Sequence, residues 1–129
     1  MGGGCENGGM RRIATALFAT GVGMMVAAGV GCKKIPPPTP LDQLTPQQAR
    51  GHAVFQARCA MCHYDRRSGP LAGPSLKGIF KQDYLPSGAP SNDDRVTATI
   101  LQGRNMMPPM GNSMDTQEVM DVLTYLHTL

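Results

Sequence analysis

Cys59-Ala60-Met61-Cys62-His63 constrains this chain more than any other stretch of its 129 residues. Two cysteines at i and i+3 with a histidine directly after them are the attachment signature of c-type haem. Each thiol adds across one vinyl group of the porphyrin, and the adjacent imidazole is delivered to one face of the iron. A domain built on this motif folds around a large flat cofactor that it cannot release. Other chemistries use the same residue types. Two thiols and an imidazole also make half of a zinc site, but such sites take further ligands, and Cys5, Cys32, His52 and His127 form no paired motif. A thioredoxin-like dithiol calls for a flanking strand–helix–strand pattern, which the neighbouring sequence lacks. A disulfide between Cys59 and Cys62 is allowed by composition alone.

Three further segments occur in order around the pentapeptide. Gly51-His52-Ala53-Val54-Phe55-Gln56-Ala57-Arg58 leads into it. Gly73-Pro74-Ser75-Leu76-Lys77-Gly78-Ile79-Phe80 follows after a loop. Gly103-Arg104-Asn105-Met106-Met107-Pro108-Pro109-Met110-Gly111 precedes a final helical stretch ending Val122-Leu123-Thr124-Tyr125-Leu126. Together they resemble class I, single-haem cytochrome c of the compact bacterial type, over roughly residues 45–129. The resemblance implies an all-α fold of three to four helices around one covalent haem c. It assigns the thioethers to Cys59 and Cys62 and the proximal iron ligand to His63. It also implies that the Pro74 carbonyl accepts a hydrogen bond from that histidine, fixing the imidazole's tautomer and orientation. The methionine directly before a proline is the family's distal ligand, which here is Met107.

Met106, Met110 and Met114 lie in or beside the same loop, and Met106 and Met110 stand as alternative axial ligands. Methionine is also common core filler, because its flexible side chain packs irregular gaps. Pro108 favours Met107 by biasing it towards extended backbone, which stiffens the loop that presents the sulfur.

The amino-terminal third is of another kind. Arg11 and Arg12 precede a run from Ile13 to Gly31 without one charged residue, the pattern of an export signal over residues 1–31. Met10 is the natural start, so residues 1–9 read as a start-site misassignment. Gly29-Val30-Gly31-Cys32 resembles a bacterial lipoprotein processing site, which implies that Cys32 is lipidated; an uncleaved anchor and soluble secretion remain as alternatives. Residues 32–44 read as a linker. Ile35-Pro36-Pro37-Pro38-Thr39-Pro40 favours extended polyproline geometry, and a dozen such residues at about 3.1 Å each would space the domain roughly 35 to 40 Å from its anchor. Lys33 and Lys34 beside the anchor suit anionic headgroups or simply solubilise the segment.

Within residues 45–129, helix punctuation is clear. Thr45, Pro46 and Gln48 supply an N-cap, a proline at the first helical position and a capping box. Asp115 and Glu118 do the same for the last helix, whose Val119, Val122, Leu123 and Leu126 keep helical spacing. Ser91 and Asp94 suggest a third box, and Gly78-Ile79-Phe80 a short helical turn. Gly51 and Phe55 share a face that is expected against Val122, Tyr125 and Leu126. No strand pattern is present. The chain has no tryptophan and 5% aromatic residues, and a domain this small gains little from a side-chain core alone, so a buried porphyrin is expected to supply much of the apolar interior.

Closed histidine–methionine ligation leaves no open iron position and raises the reduction potential. The reading is therefore an electron carrier rather than an enzyme, exported to the periplasmic side of a bacterial membrane. Its partners would be redox proteins such as a membrane oxidase, reductase or reaction centre, with no nucleic acid. From Lys33 onward ten basic and eight acidic residues leave a net charge of +2, too small to imply a strongly charge-steered partner. A haem-based sensor, a peroxidase-like protein with a displaceable methionine, and a fixed subunit of a larger membrane oxidoreductase are the alternatives.

Overall fold

The computed structural model describes residues 34–129. The expected export signal, the start at Met10, and Cys32 lie outside the described residues. Three α-helices, α1 (Pro46–Arg58), α2 (Asp93–Gln102) and α3 (Thr116–Leu126), are joined by loops that carry single 3-10 turns at Leu41–Gln43 and Ile79–Lys81. Among the described residues there are no strands, only isolated bridges at Tyr84–Pro90 and Arg104–Met107. The all-α expectation holds.

Local chemistry explains where the helices begin. Thr45 Oγ1 accepts from the Gln48 amide at 3.3 Å, and Gln48 Oε1 accepts from the Thr45 amide at 2.9 Å. Asp115 and Glu118 make the same reciprocal pair at 2.8 and 3.1 Å. Both boxes satisfy amide groups that a first helical turn leaves unpaired. The third box is not formed. Asn92, not Ser91, caps α2, its side chain accepting from the Arg95 amide at 3.0 Å. Ser91 is engaged elsewhere, its hydroxyl donating to the Ile79 carbonyl at 2.5 Å.

The core forms where α1 crosses α3. Gly51 is buried, and a Cβ there would collide with the Asp121 carbonyl and stand 2.8 Å from Tyr125 Cβ. Only glycine lets the two backbones approach this closely. Phe55, one turn on, places its ring 5.9 Å from that of Tyr125, and both are almost fully buried with Val122 and Leu129. Val96 and Ile100 of α2 join Val119 and Leu126 of α3 in the same cluster. His52 is half-buried, its ring 5.0 Å from that of Tyr125. It follows Gly51 in α1, so it lies at the edge of the tight crossing.

Charge is used sparingly inside. Asp121 on α3 is buried and accepts from Arg50 Nε at 2.8 Å and Gln117 Nε2 at 2.8 Å. The Arg50 bond, above all, holds its carboxyl below the usual range, against the burial that pushes it up. His127, just past α3, stacks on Phe80 at 3.9 Å and lies 2.7 Å from Asp93 Oδ1, linking the end of α3 to the start of α2.

The proline-rich stretch departs from the spacer reading. The compact unit begins at Ile35, not at residue 45. Ile35 packs over Gly78, the Thr39 amide donates to the Thr128 carbonyl at 2.8 Å, and the Thr39 carbonyl accepts from Arg66 Nη2 at 2.7 Å. Polyproline backbone has no internal hydrogen bonds, so its polar groups are free to dock on the domain.

Gly51→Ala is expected to lower unfolding stability by about 3 kcal/mol, because the added methyl meets backbone that cannot yield. Denaturant titration reads this as a lower midpoint with an unchanged slope. A midpoint indistinguishable from wild type contradicts the tight crossing.

Candidate functional site

Helix α1 ends by delivering the attachment motif. Cys59 is its C-cap, with its amide bonded to the Phe55 carbonyl at 2.8 Å. The chain then turns tightly, the amides of Cys62 and His63 both donating to the Cys59 carbonyl at 3.0 and 2.9 Å. The Gly73 amide donates to the Cys62 carbonyl at 2.7 Å and the Leu76 amide to the Tyr64 carbonyl at 2.7 Å. The segment from Tyr64 to Leu76 is thereby folded back over the histidine.

That fold-back gives His63 its chemistry. Its Nδ1 lies 2.8 Å from the Pro74 carbonyl oxygen. A carbonyl only accepts, so Nδ1 carries the hydrogen, and in the neutral ring Nε2 keeps an unprotonated lone pair. Gly73 makes room for the ring: a Cβ at this position would stand 2.9 Å from Nδ1 and 3.0 Å from Nε2.

The loop is fastened at several points. Tyr125 hydroxyl donates to Asp65 Oδ2 at 2.6 Å, and Arg66 Nε donates to the Tyr125 oxygen at 3.3 Å. Ser75 Oγ donates to the Arg67 carbonyl at 2.7 Å, while the Arg67 guanidinium lies 4.0 Å above the Tyr64 ring. Burial, followed by the bond to Asp65, raises the Tyr125 hydroxyl well above its usual range, so it stays a donor. The sequence pattern places Tyr125 in the core but does not single out Asp65 or Arg66. The available signal was the phenol itself, because a buried tyrosine hydroxyl needs a partner.

Cys59 and Cys62 are free thiols, both half-buried. Burial pushes the Cys59 thiol up to about 11, so it is protonated at neutral pH. No disulfide joins the pair. Among the described residues no group of three or more histidine, cysteine or acidic side chains is placed to hold a metal ion. Two thiols, an imidazole with a free Nε2 and a glycine cradle for that ring form the donor set that a covalent haem requires.

The methionine loop separates its four candidates. The amides and carbonyls of Arg104 and Met107 pair at 2.9 and 3.0 Å, with Asn105 at φ 52° inside the turn. Met106, at the tip, is 91% exposed. Met107 returns half-buried against the core, as does Met110, and Met114 lies inside it. Met110 Sδ takes a weak bond from Ser113 Oγ at 3.6 Å. Beyond the two prolines, the amides of Met110 and Gly111 donate to the Ile100 and Leu101 carbonyls at 2.9 and 3.1 Å, stapling the loop to the end of α2.

With this geometry in view, residues 46–126 match the family model described as cytochrome C oxidase, cbb3-type, subunit III. A cytochrome c-553-like protein of Synechocystis sp. is 35% identical over 81 residues, covering 62% of this chain and 67% of the relative. Cytochrome c6 of Limnospira maxima is 32% identical over 81 residues, covering 60% of this chain and 88% of its own length. The solved structure of cytochrome c6 from the diatom Phaeodactylum tricornutum aligns over 61% of this chain and 88% of its own, with 25% identity and a TM-score of 0.46.

Gly73→Ala is expected to push the His63 ring off the Pro74 carbonyl. In the matured protein the Nδ1 hydrogen should then exchange with solvent about tenfold faster by NMR, the equivalent of one lost hydrogen bond. An unchanged exchange rate contradicts the packing of the imidazole against Gly73.

Proposed function

The chain belongs to the cytochrome c family, and on that premise we propose that it is a membrane-tethered electron carrier whose single haem, covalent at Cys59 and Cys62, is ligated by His63 and Met107. When bound, haem c supplies a one-electron iron couple. The observation that carries the reading is the 2.8 Å contact between His63 Nδ1 and the Pro74 oxygen. It orients the ring and directs the Nε2 lone pair away from the backbone that holds it. Such a bond also raises the basicity of the ligating nitrogen.

For the second ligand, Met107 is favoured over Met106 by burial and over Met110 by the proline that follows it. A thioether from Met107 would supply the second protein ligand to the iron. It also raises the potential relative to a second imidazole. With His63 and Met107 both on stapled loops, a bound haem would change oxidation state with little movement of the residues that hold it, as a carrier needs. A sensor or peroxidase-like role would need Met107 to leave.

Two lines bear on context. The cytochrome c6 and c-553-like relatives favour a carrier working between redox partners. The family description, a subunit of an oxidase, favours a second reading in which the domain is a fixed electron-transfer subunit of a membrane oxidoreductase. In both, Cys32 is the proposed lipid anchor and the domain lies on the periplasmic side. Residues 1–31 would then be removed on export.

Met107→Ala tests the ligand assignment. It is expected to abolish the near-infrared sulfur–iron charge-transfer band of the ferric protein, lower the potential and let the ferrous form bind carbon monoxide. Met106→Ala and Met110→Ala should retain the band. Retention of the band in Met107→Ala, or its loss in Met110→Ala, overturns the assignment.

A further inference from the structure

We propose that the face of the domain carrying Ile35, Lys77 and Lys81 rests on anionic lipid headgroups. The proposal rests on Cys32 as the anchor and adds to it which side of the domain meets the membrane and what holds it there. The first observation is the docking of the proline-rich segment. Ile35 packs over Gly78, and Thr39 is bonded through its amide to Thr128 and through its carbonyl to Arg66. The part of the linker available for reach therefore ends at Ile35. Cys32 is three residues upstream, and at 3.8 Å between successive Cα atoms those three steps span at most about 11 Å. A spacer of a dozen residues would have let the domain range freely, whereas this connection holds it at the surface.

The second observation is the distribution of lysine. The chain has four lysines, at positions 33, 34, 77 and 81. Lys33 and Lys34 belong to the covalent connection itself. Lys77 precedes Gly78, the residue under Ile35, and the Lys81 amide donates to the Gly78 carbonyl at 2.9 Å. The other side chains that carry a permanent positive charge are arginines. Several are committed within the fold: Arg50 to Asp121, Arg58 to Glu118, and Arg66 to Thr39 and Tyr125. Asp83 contributes one negative charge to the same stretch as Lys81. Lysine is a compact, hydrated point charge on a flexible stem, suited to mobile headgroups rather than to one fixed carboxylate.

Distance and charge reinforce each other. Attraction of a basic side chain to an anionic surface amounts to about fivefold in binding, and it decays within a Debye length, about 8 to 10 Å in physiological salt. A connection of at most about 11 Å keeps Lys77 and Lys81 near that range. The start of α3 is at the far end of that helix from the docked segment. Thr128, beyond the end of α3, is bonded to Thr39, and α3 has 11 residues. At 1.5 Å per residue, its start at Thr116 lies about 16 to 18 Å away.

Lysine reactivity provides the test. The mature, haem-loaded protein, purified from membranes, is reconstituted into vesicles of phosphatidylethanolamine and phosphatidylglycerol. It is treated with a membrane-impermeant amine reagent beside the same protein in neutral detergent micelles, and each site is quantified by mass spectrometry. Lys77 and Lys81 are expected to react at least about fivefold more slowly in the vesicles. A lysine introduced beyond the start of α3, Asn112→Lys, should react equally in both. Equal rates at Lys77 and Lys81 with acyl chains present on Cys32, or equal protection of Asn112→Lys, overturn the headgroup contact and leave the anchor standing. An amino-terminal peptide without acyl chains overturns both.

Discussion

Everything else in this fold depends on the crossing of α1 over α3 at Gly51. With no side chain at Gly51, α1 lies against the Asp121 carbonyl and Tyr125. The crossing buries Phe55, and one turn later α1 ends at Cys59. Where the helices cross therefore decides where the attachment motif begins. Tyr125 extends that control outward. Its ring packs between His52 and Phe55, while its hydroxyl reaches Asp65 and Arg66 in the loop behind His63. Arg66 in turn holds the Thr39 carbonyl. One buried phenol thus joins the helix crossing, the histidine loop and the docked amino-terminal segment. Such a network is costly to leave half-satisfied, and among the described residues no buried side-chain polar atom lacks a partner.

What could be read from sequence was the chemistry that acts locally. The capping boxes at Thr45/Gln48 and Asp115/Glu118 span four residues each, so their formation needs little knowledge of the tertiary fold. The choice between Ser91 and Asn92 was not local. Both are good caps, and a carbonyl twelve residues away, at Ile79, decided which one was free. The proline run shows the same limit. Its backbone preference was legible, but whether it would stand off or dock depended on Gly78, Arg66 and Thr128, which the fold brings to it. Asp65 and Arg66 were passed over because an adjacent acid and base look like ordinary surface charge until Tyr125 arrives between them.

The motif-based half of the site was more legible than the loop-based half. Cys59, Cys62 and His63 are adjacent in sequence, so a short turn suffices to gather them. The contact of His63 with Pro74 spans eleven residues, yet Gly73 marks it, since the ring occupies the space a side chain would take. Sequence favours Met107 through Pro108 and the resemblance, and the turn at Asn105 adds a separate reason. That turn carries Met106 out to solvent and brings Met107 back to the core. Backbone direction, not side-chain chemistry, separates two identical neighbours.

Covalent attachment of haem at Cys59 and Cys62 is tested by the alkaline pyridine haemochrome spectrum of the chain matured in an exporting host. The expected spectrum has a reduced α-band at the position of a haem with both vinyl groups saturated, one haem per chain, retained after extraction with acidified organic solvent. A band at the position of unmodified haem, or complete extraction of the pigment, would contradict it.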